Sequence, residues 1–233
     1  MTRKYSPFIN NHIRSLLDTL ADKSIEAQQY QETMTKLGIS LGDALLTKID
    51  KEKSVYLAST VEDADFLARG VLNQLENHLD SVAFACFWNQ RFSPFEIEDL
   101  AIAPILKKYQ EKTLNDVNYL IVIKSIISGA CVVKTNLINL IQTITPENII
   151  IVAPVMYHTA QEKLKREFDN DIYEKFQFIY FAEDDERTQE GEVIPGIGGM
   201  VYERLGFQGQ DDKNRYIPEI VKQRRSQLIK ASV

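Results

Sequence analysis

Five short apolar runs, none alternating polar with apolar residues, constrain this chain more than any other feature. They are "SVYLAS" (54–59), "SVAFACFW" (81–88), the run ending at Ile123 in "NYLIVIKSIISGAC" (118–123), "NIIIVAPV" (148–155) and "FQFIYFA" (176–182). A strand with one wet face would alternate, so these runs read as strands buried on both faces. Segments with helical spacing lie between them at 63–79, 131–143 and 158–168. Two more helices are expected before the first strand. One is 6–21, carrying Phe8, Ile9, Ile13, Leu16, Leu17 and Leu20; the other is 25–48, where Gly38 and Gly42 would allow close packing. Residues 95–112, after the loop "NQRFSP", read as a helical or irregular excursion. Strands that alternate with helices give an α/β fold: a central parallel sheet with helices on both faces. A chain of 233 residues suits a single domain over 1–233, with 1–50 as an N-terminal helical part.

The charge balance narrows the function. With 27 Lys and Arg against 33 Asp and Glu the net charge is −6, which speaks against a protein built to hold duplex nucleic acid. The basic stretch "KQRRSQLIK" (222–230) reads as the solvated, cationic end of a terminal helix. Cys86 and Cys131 each sit in an apolar run, as buried reduced thiols do, and their spacing forms no metal motif. His12, His78 and His158 are scattered. "MTRKYSPFINN" has no apolar signal core, and no run approaches the length of a membrane span, so a cytoplasmic setting without membrane contact is expected.

In a parallel sheet covered on both faces, ligands sit beyond the carboxyl ends of the strands. Two of those ends stand out. In the turn after Ile123, Ser128, Gly129 and Ala130 open a helix, where free N–H groups and the helix dipole favour an anion. The segment "EGEVIPGIGGM" (190–200) has one Pro and four Gly in eleven residues and so presents backbone rather than side chains. Backbone of that kind suits the edge of a small planar ligand, or it serves only to pack the end of the sheet.

Taken in order, "IKSIISG" (123–129), "VAPVMYHTAQEKL" (152–164) and "EDDERTQEGEVIPGIGGMVYERLGF" (183–207) resemble the uracil phosphoribosyltransferase family, which has a type I phosphoribosyltransferase fold. That family carries Asp-Pro-Met-Leu-Ala-Thr-Gly, then Ala-Pro-Glu-Gly, then an Asp-Glu-Arg-Leu run and Tyr-Ile-Val-Pro-Gly-Leu-Gly-Asp-Ala-Gly-Asp. Pro195-Gly196 through Gly206 match without a gap, and Asp185-Glu186-Arg187 precedes them at the family's spacing. The amino-terminal half resembles it more loosely, through "ADKSIEAQQYQETMTKLG" (21–38) and a register that sets Val61-Glu62-Asp63-Ala64 on the family's Leu-Arg-Ala-Gly. The family's Tyr-Arg-Asp falls near Phe87-Trp88-Asn89. The tail after Phe207 extends beyond the family's usual end. It is expected to close in an amphipathic helix (208–233 as an extension) that docks on its own subunit or on a partner through Ile217, Ile220, Val221 and Leu228.

The resemblance implies a nucleotide site. Lys124, Ser125, Ser128, Gly129 and Ala130 would hold a 5′-phosphate, and backbone around Val193, Ile194, Gly196, Gly198 and Gly199 would read a pyrimidine such as uracil or UMP. It also implies a homodimer. The departures fall on the chemistry. Ile123 and Lys124 stand where the family's ribose-holding acid belongs, and Gly199 and Tyr202 replace two later acids. Glu62, with Asp63 beside it, stands where an Arg faces pyrophosphate, so negative charge meets a ligand that is itself an anion. Lys124 supplies a cation for a monophosphate, points to solvent, or pairs with Glu62 or Asp63 and fills the old pyrophosphate site. The expected function is a phosphoribosyltransferase-like protein without catalytic residues, metal or cofactor, binding a nucleotide or a protein partner. The aromatic segment "CFWNQRFSPF" (86–95) is a candidate partner surface. The alternative is an active enzyme joining uracil or a related base to phosphoribosyl pyrophosphate, with magnesium at the leaving group.

Overall fold

The computed structural model describes residues 3–92, 101–113, 116–189 and 191–231. The strands are β1 (Lys4–Tyr5), β2 (Val55–Thr60), β3 (Val82–Asn89), β4 (Ile105–Gln110), β5 (Val117–Ile123), β6 (Ile126–Ile127), β7 (Pro146–Tyr157), β8 (Phe176–Asp184), β9 (Glu186–Arg187) and β10 (Val193–Ile194). The helices are α1 (Asn11–Ala21), α2 (Ala27–Leu46), α3 (Val61–Asp63), α4 (Arg69–Glu76), α5 (Cys131–Ile141), α6 (Ala160–Glu167), α7 (Asn170–Tyr173), α8 (Val201–Arg204), α9 (Gln210–Arg215) and α10 (Glu219–Ala231). A π-helical turn, Ala64–Ala68, joins α3 to α4.

The sheet runs β1-β8-β7-β5-β2-β3-β4, and β6 adds a short pairing to β7. Its centre is parallel, with β2 between β3 and β5 and β7 between β5 and β8. The five unbroken apolar runs are those five strands, and every residue of β2 is buried. The expected α/β fold, a mainly parallel sheet flanked by helices, is present. The sheet is nevertheless mixed, because β1 and β4 add antiparallel edges to β8 and β3. Residues 105–110 thus form an edge strand where an excursion was expected; residues 95–100 of that stretch lie outside the described residues. Lys107 and Lys108 stand on β4, and lysines on an edge strand discourage further pairing.

Two apolar layers hold the sheet. One packs α1, α2, α4 and the carboxyl-terminal residues Ile220 and Val221 on Leu57, Phe84, Cys86, Ile121, Ile150 and Phe181. The other packs Val133, Leu137 and Leu140 of α5 with Ala160 and Leu164 of α6 on the opposite face. The close packing expected at Gly38 is real. A Cβ there would lie 2.2 Å from the Leu67 carbonyl oxygen, so α2 meets the π turn and α4 at backbone distance. The terminal helix α10 docks on its own subunit, burying Ile220 and Val221 but leaving Ile217 and Leu228 exposed.

The part of the aromatic segment that lies on β3 is core. Cys86, Phe87, Trp88 and Asn89 are buried, Phe92 is half exposed, and 93–95 fall outside the described residues. As a partner surface, residues 86–89 are therefore corrected: strand β3 is covered on both faces, and these side chains serve the fold. No described helix is long and apolar enough to cross a membrane.

Candidate functional site

The carboxyl ends of β2 and β5 lie side by side, since Ser59 pairs with Ile123. This brings Thr60, Glu62 and Asp63 against Lys124, which follows β5 directly. The Lys124 ammonium donates to Glu62 Oε1 at 2.8 Å and to Thr60 Oγ1 at 3.0 Å, and lies 3.1 Å from Asp63 Oδ2. Thr60 Oγ1 in turn donates to Asp63 Oδ2 at 2.9 Å. Of the readings of Lys124 left open by the sequence, pairing is the arrangement observed. A second cation comes from the carboxyl-terminal extension: Lys213, on α9, is 4% exposed and sits 3.7 Å from Glu62 Oε2. Its ammonium also donates to the Asn89 carbonyl at 2.9 Å.

Two carboxylates and two ammonium groups thus share one buried site. Burial alone would raise the Glu62 carboxyl, but Lys124 and Lys213 overcome it and bring the group down to about 2. Burial works against the charged form of Lys124 as well, and there Asp63 and Glu62 win and raise it. For Lys213 burial prevails and the ammonium is held below its ordinary value. Glu62 Oε2, Asp63 Oδ1 and the hydroxyls of Ser59 and Ser125 make no hydrogen bond within the protein. The space between the β2 and β5 ends and α5, walled by Ser59, Thr60, Ile123, Lys124, Val133 and Asn136, holds about 0 Å³. A depression of about 210 Å³ exists elsewhere, between Phe8, Asn10, Ile13 and the Ser40–Thr47 side of α2.

The remaining expected site residues fall into two groups. Ser125 is buried, and Ser128, Gly129 and Ala130 do open α5, as expected. No side chain caps the first turn of α5 and no acid stands in it. The Ser128 carbonyl accepts from Arg187, whose guanidinium lies 3.8 Å from the centre of the Tyr157 ring. Gly129 faces open space, for a Cβ there would meet nothing within 4 Å.

The 193–199 loop is bound to the protein itself. Val193 and Ile194 pair with Arg187 and Glu186, and the Ile194-Pro195 peptide is cis. Buried Asp184 accepts from the Gly196 N–H at 2.9 Å and, through both oxygens, from Arg3 at 2.8 and 2.7 Å. Arg3 also donates to the Gly196 carbonyl at 2.7 Å, and the Tyr30 hydroxyl to the Ile197 carbonyl at 2.9 Å. Several backbone groups of this loop are therefore engaged by Asp184, Arg3 and Tyr30. Gly198 has φ +76, and a Cβ on it would lie 2.2 Å from the Leu20 carbonyl oxygen.

These two glycines should behave oppositely. Gly198→Ala is expected to cost roughly 2 kcal/mol or more, because it adds both strain and a backbone clash. Gly129→Ala should stay within about 0.5 kcal/mol of the unmodified protein. Urea unfolding of both variants measures the contrast.

Lys213, Asp184 and Arg3 were not found from the sequence. Lys213 lies in a tail with no local motif, and Asp184 is one acid among several in "EDDE". Only three-dimensional proximity distinguishes them. Among the described residues, no three His, Cys, Asp or Glu side chains converge as metal ligands would.

No family model and no curated protein matches the chain. Among solved structures it is similar to the AQ2163 protein from Aquifex aeolicus, at 17% identity over 85% of this chain and 95% of that one, with a TM-score of 0.66. Weaker likenesses include adenine phosphoribosyltransferase from Leishmania donovani, at 16% identity over 69% and 68% of the two chains with a TM-score of 0.44. Hypoxanthine-guanine phosphoribosyltransferase from L. donovani follows at 14% identity over 62% and 77%, with a TM-score of 0.36. At such identities the first likeness is one of fold alone. The architecture expected from the resemblance, a mainly parallel sheet with helices on both faces, is the one this chain has.

Proposed function

We propose that this chain is a non-catalytic, phosphoribosyltransferase-like protein over its full 1–233 length, whose pyrophosphate region is filled by its own ion pairs. The observation that carries this reading is the Lys124–Glu62–Asp63–Lys213 cluster. An anionic substrate and its magnesium would have to displace one or both lysines, and the lysines would leave two buried carboxylates facing the incoming negative charge. Magnesium does not fit these residues, since the nearby carboxylates are already neutralised by ammonium groups.

A second reading, a nucleoside monophosphate such as UMP held without catalysis, draws on the uncapped start of α5 and the open space at Gly129. Against a uracil-reading loop stand the contacts that already occupy the Gly196 and Ile197 backbone. The homodimer, a protein partner and the cytoplasmic setting belong to the proposal through the resemblance and the composition.

A turnover assay with phosphoribosyl pyrophosphate, magnesium and uracil, hypoxanthine or adenine tests the proposal. The expected result is no nucleoside monophosphate above the protein-free blank. Sustained formation of one would establish the enzyme instead.

A further inference from the structure

The tail reaches the acid cluster from outside the sheet, fixed by a network of polar contacts and by four apolar side chains, Phe207, Tyr216, Ile220 and Val221, on the core. Asp65, on the π-helical turn, accepts from the Glu219 and Ile220 N–H groups that open α10, at 2.8 and 3.0 Å, and from the Tyr216 hydroxyl at 2.5 Å. The Tyr216 carbonyl accepts from Trp88 Nε1 at 2.8 Å, and the Asn214 carbonyl from Lys107 at 3.0 Å. Arg224 donates to Glu111 at 2.9 Å and to the Val82 carbonyl at 3.1 Å, pairs with Glu76, and lies over the Phe84 ring. Against these, α10 buries only Ile220 and Val221 among its described side chains. The chain enters the tail through Gly206 and Gly209, both at positive φ, turns that glycine makes without strain.

What the tail covers is specific. Phe84, Cys86 and Trp88 alternate onto one face of β3. Arg224 lies over the Phe84 ring and the Tyr216 carbonyl accepts from Trp88, so two tail contacts flank the fully buried Cys86 on its strand. We infer that residues 207–231 act as an internal latch: Lys213 serves as a built-in cation on Glu62, and the segment opens as a unit while the sheet stays folded, giving access to the acid end of the site. A segment held by few apolar contacts and many polar ones belongs to the part of a fold that opens at low cost. This holds whatever the site binds, so it stands or falls separately from the loss of catalysis.

Cys86 reports the opening without any ligand. In a Cys131→Ser background, which removes the partly exposed second thiol, Cys86 is labelled with an aromatic disulfide reagent across low urea concentrations. The expected rate is slow and nearly independent of urea, as for local opening. Arg224→Ala should raise it about tenfold by removing the distal anchor, and Asp65→Asn should do the same through the α10 cap, whereas Lys134→Ala on α5 should leave it unchanged. The two anchors are independent, so one variant that fails to fold leaves the other to decide. A labelling rate with the full urea dependence of global unfolding would overturn the latch. So would rates unmoved in the folded anchor variants.

Discussion

Replacing Lys124 by Met is expected to destabilise the protein by roughly 3–5 kcal/mol, the cost of leaving buried charge without its partner. The Lys124 side chain is 11% exposed and Asp63 only 1%, so water cannot take over the lost contacts. Lys213 would remain near Glu62, but at 3.7 Å it makes the longer pair, and nothing would replace Lys124 at Asp63. Adding Asp63→Asn to Lys124→Met should recover most of the loss, because Glu62 then keeps Lys213 as its partner and no buried charge is left unpaired. The pH dependence follows from Glu62, whose folded value of about 2 lies below its ordinary value. A depressed carboxyl contributes stability that is present above its unfolded value and lost as pH falls toward the folded one. Acid should therefore weaken the unmodified protein between roughly pH 4.5 and 2 through this group. In Lys124→Met the shift shrinks or reverses, so mild acid should cost that variant less. Urea titrations at several pH values measure both effects.

The second large effect is expected at Asp184. Its carboxylate is 0% exposed and holds Arg3 with both oxygens while accepting from the Gly196 N–H. Asp184→Ala strands a mostly buried guanidinium and a backbone donor together, at a cost of about 3–5 kcal/mol. The loss should be uneven. The amino-terminal strand β1 and the 193–199 loop share this carboxylate, so amide exchange at Gly196 should rise more than exchange in β5 or β7. Uniform exchange across all of these segments would mean that Asp184 holds the whole sheet rather than this corner.

The central sheet was legible because its five strands are buried on both faces, and an unbroken apolar run is what such burial requires. The edges were not. "ILKKYQ" of β4 has both faces partly wet, and two-residue β1 is too short to carry a period. Residues 86–89 of the aromatic segment failed as a surface because a strand covered on both sides contains the same large apolar side chains as a binding patch. Glu62, Asp63 and Lys124 could be brought together from their places after β2 and β5, since parallel neighbours put their carboxyl ends side by side. Lys213 could not, because nothing in "QDDKNR" records that it folds back across the sheet onto Glu62. The Pro-Gly-rich loop reads as backbone offered to a planar ligand or to the end of the sheet, and Asp184, Arg3 and Tyr30 take up its Gly196 and Ile197 groups. One of those three is the third residue of the chain, far from any motif.

The most direct test of the filled site is calorimetric titration of the unmodified protein with phosphoribosyl pyrophosphate in the presence of magnesium. Absence of saturable heat is the result expected if Lys124 and Lys213 already neutralise Glu62 and Asp63. Stoichiometric, magnesium-dependent binding would contradict it, and would mean that the cluster opens to admit the very anion it resembles a substitute for.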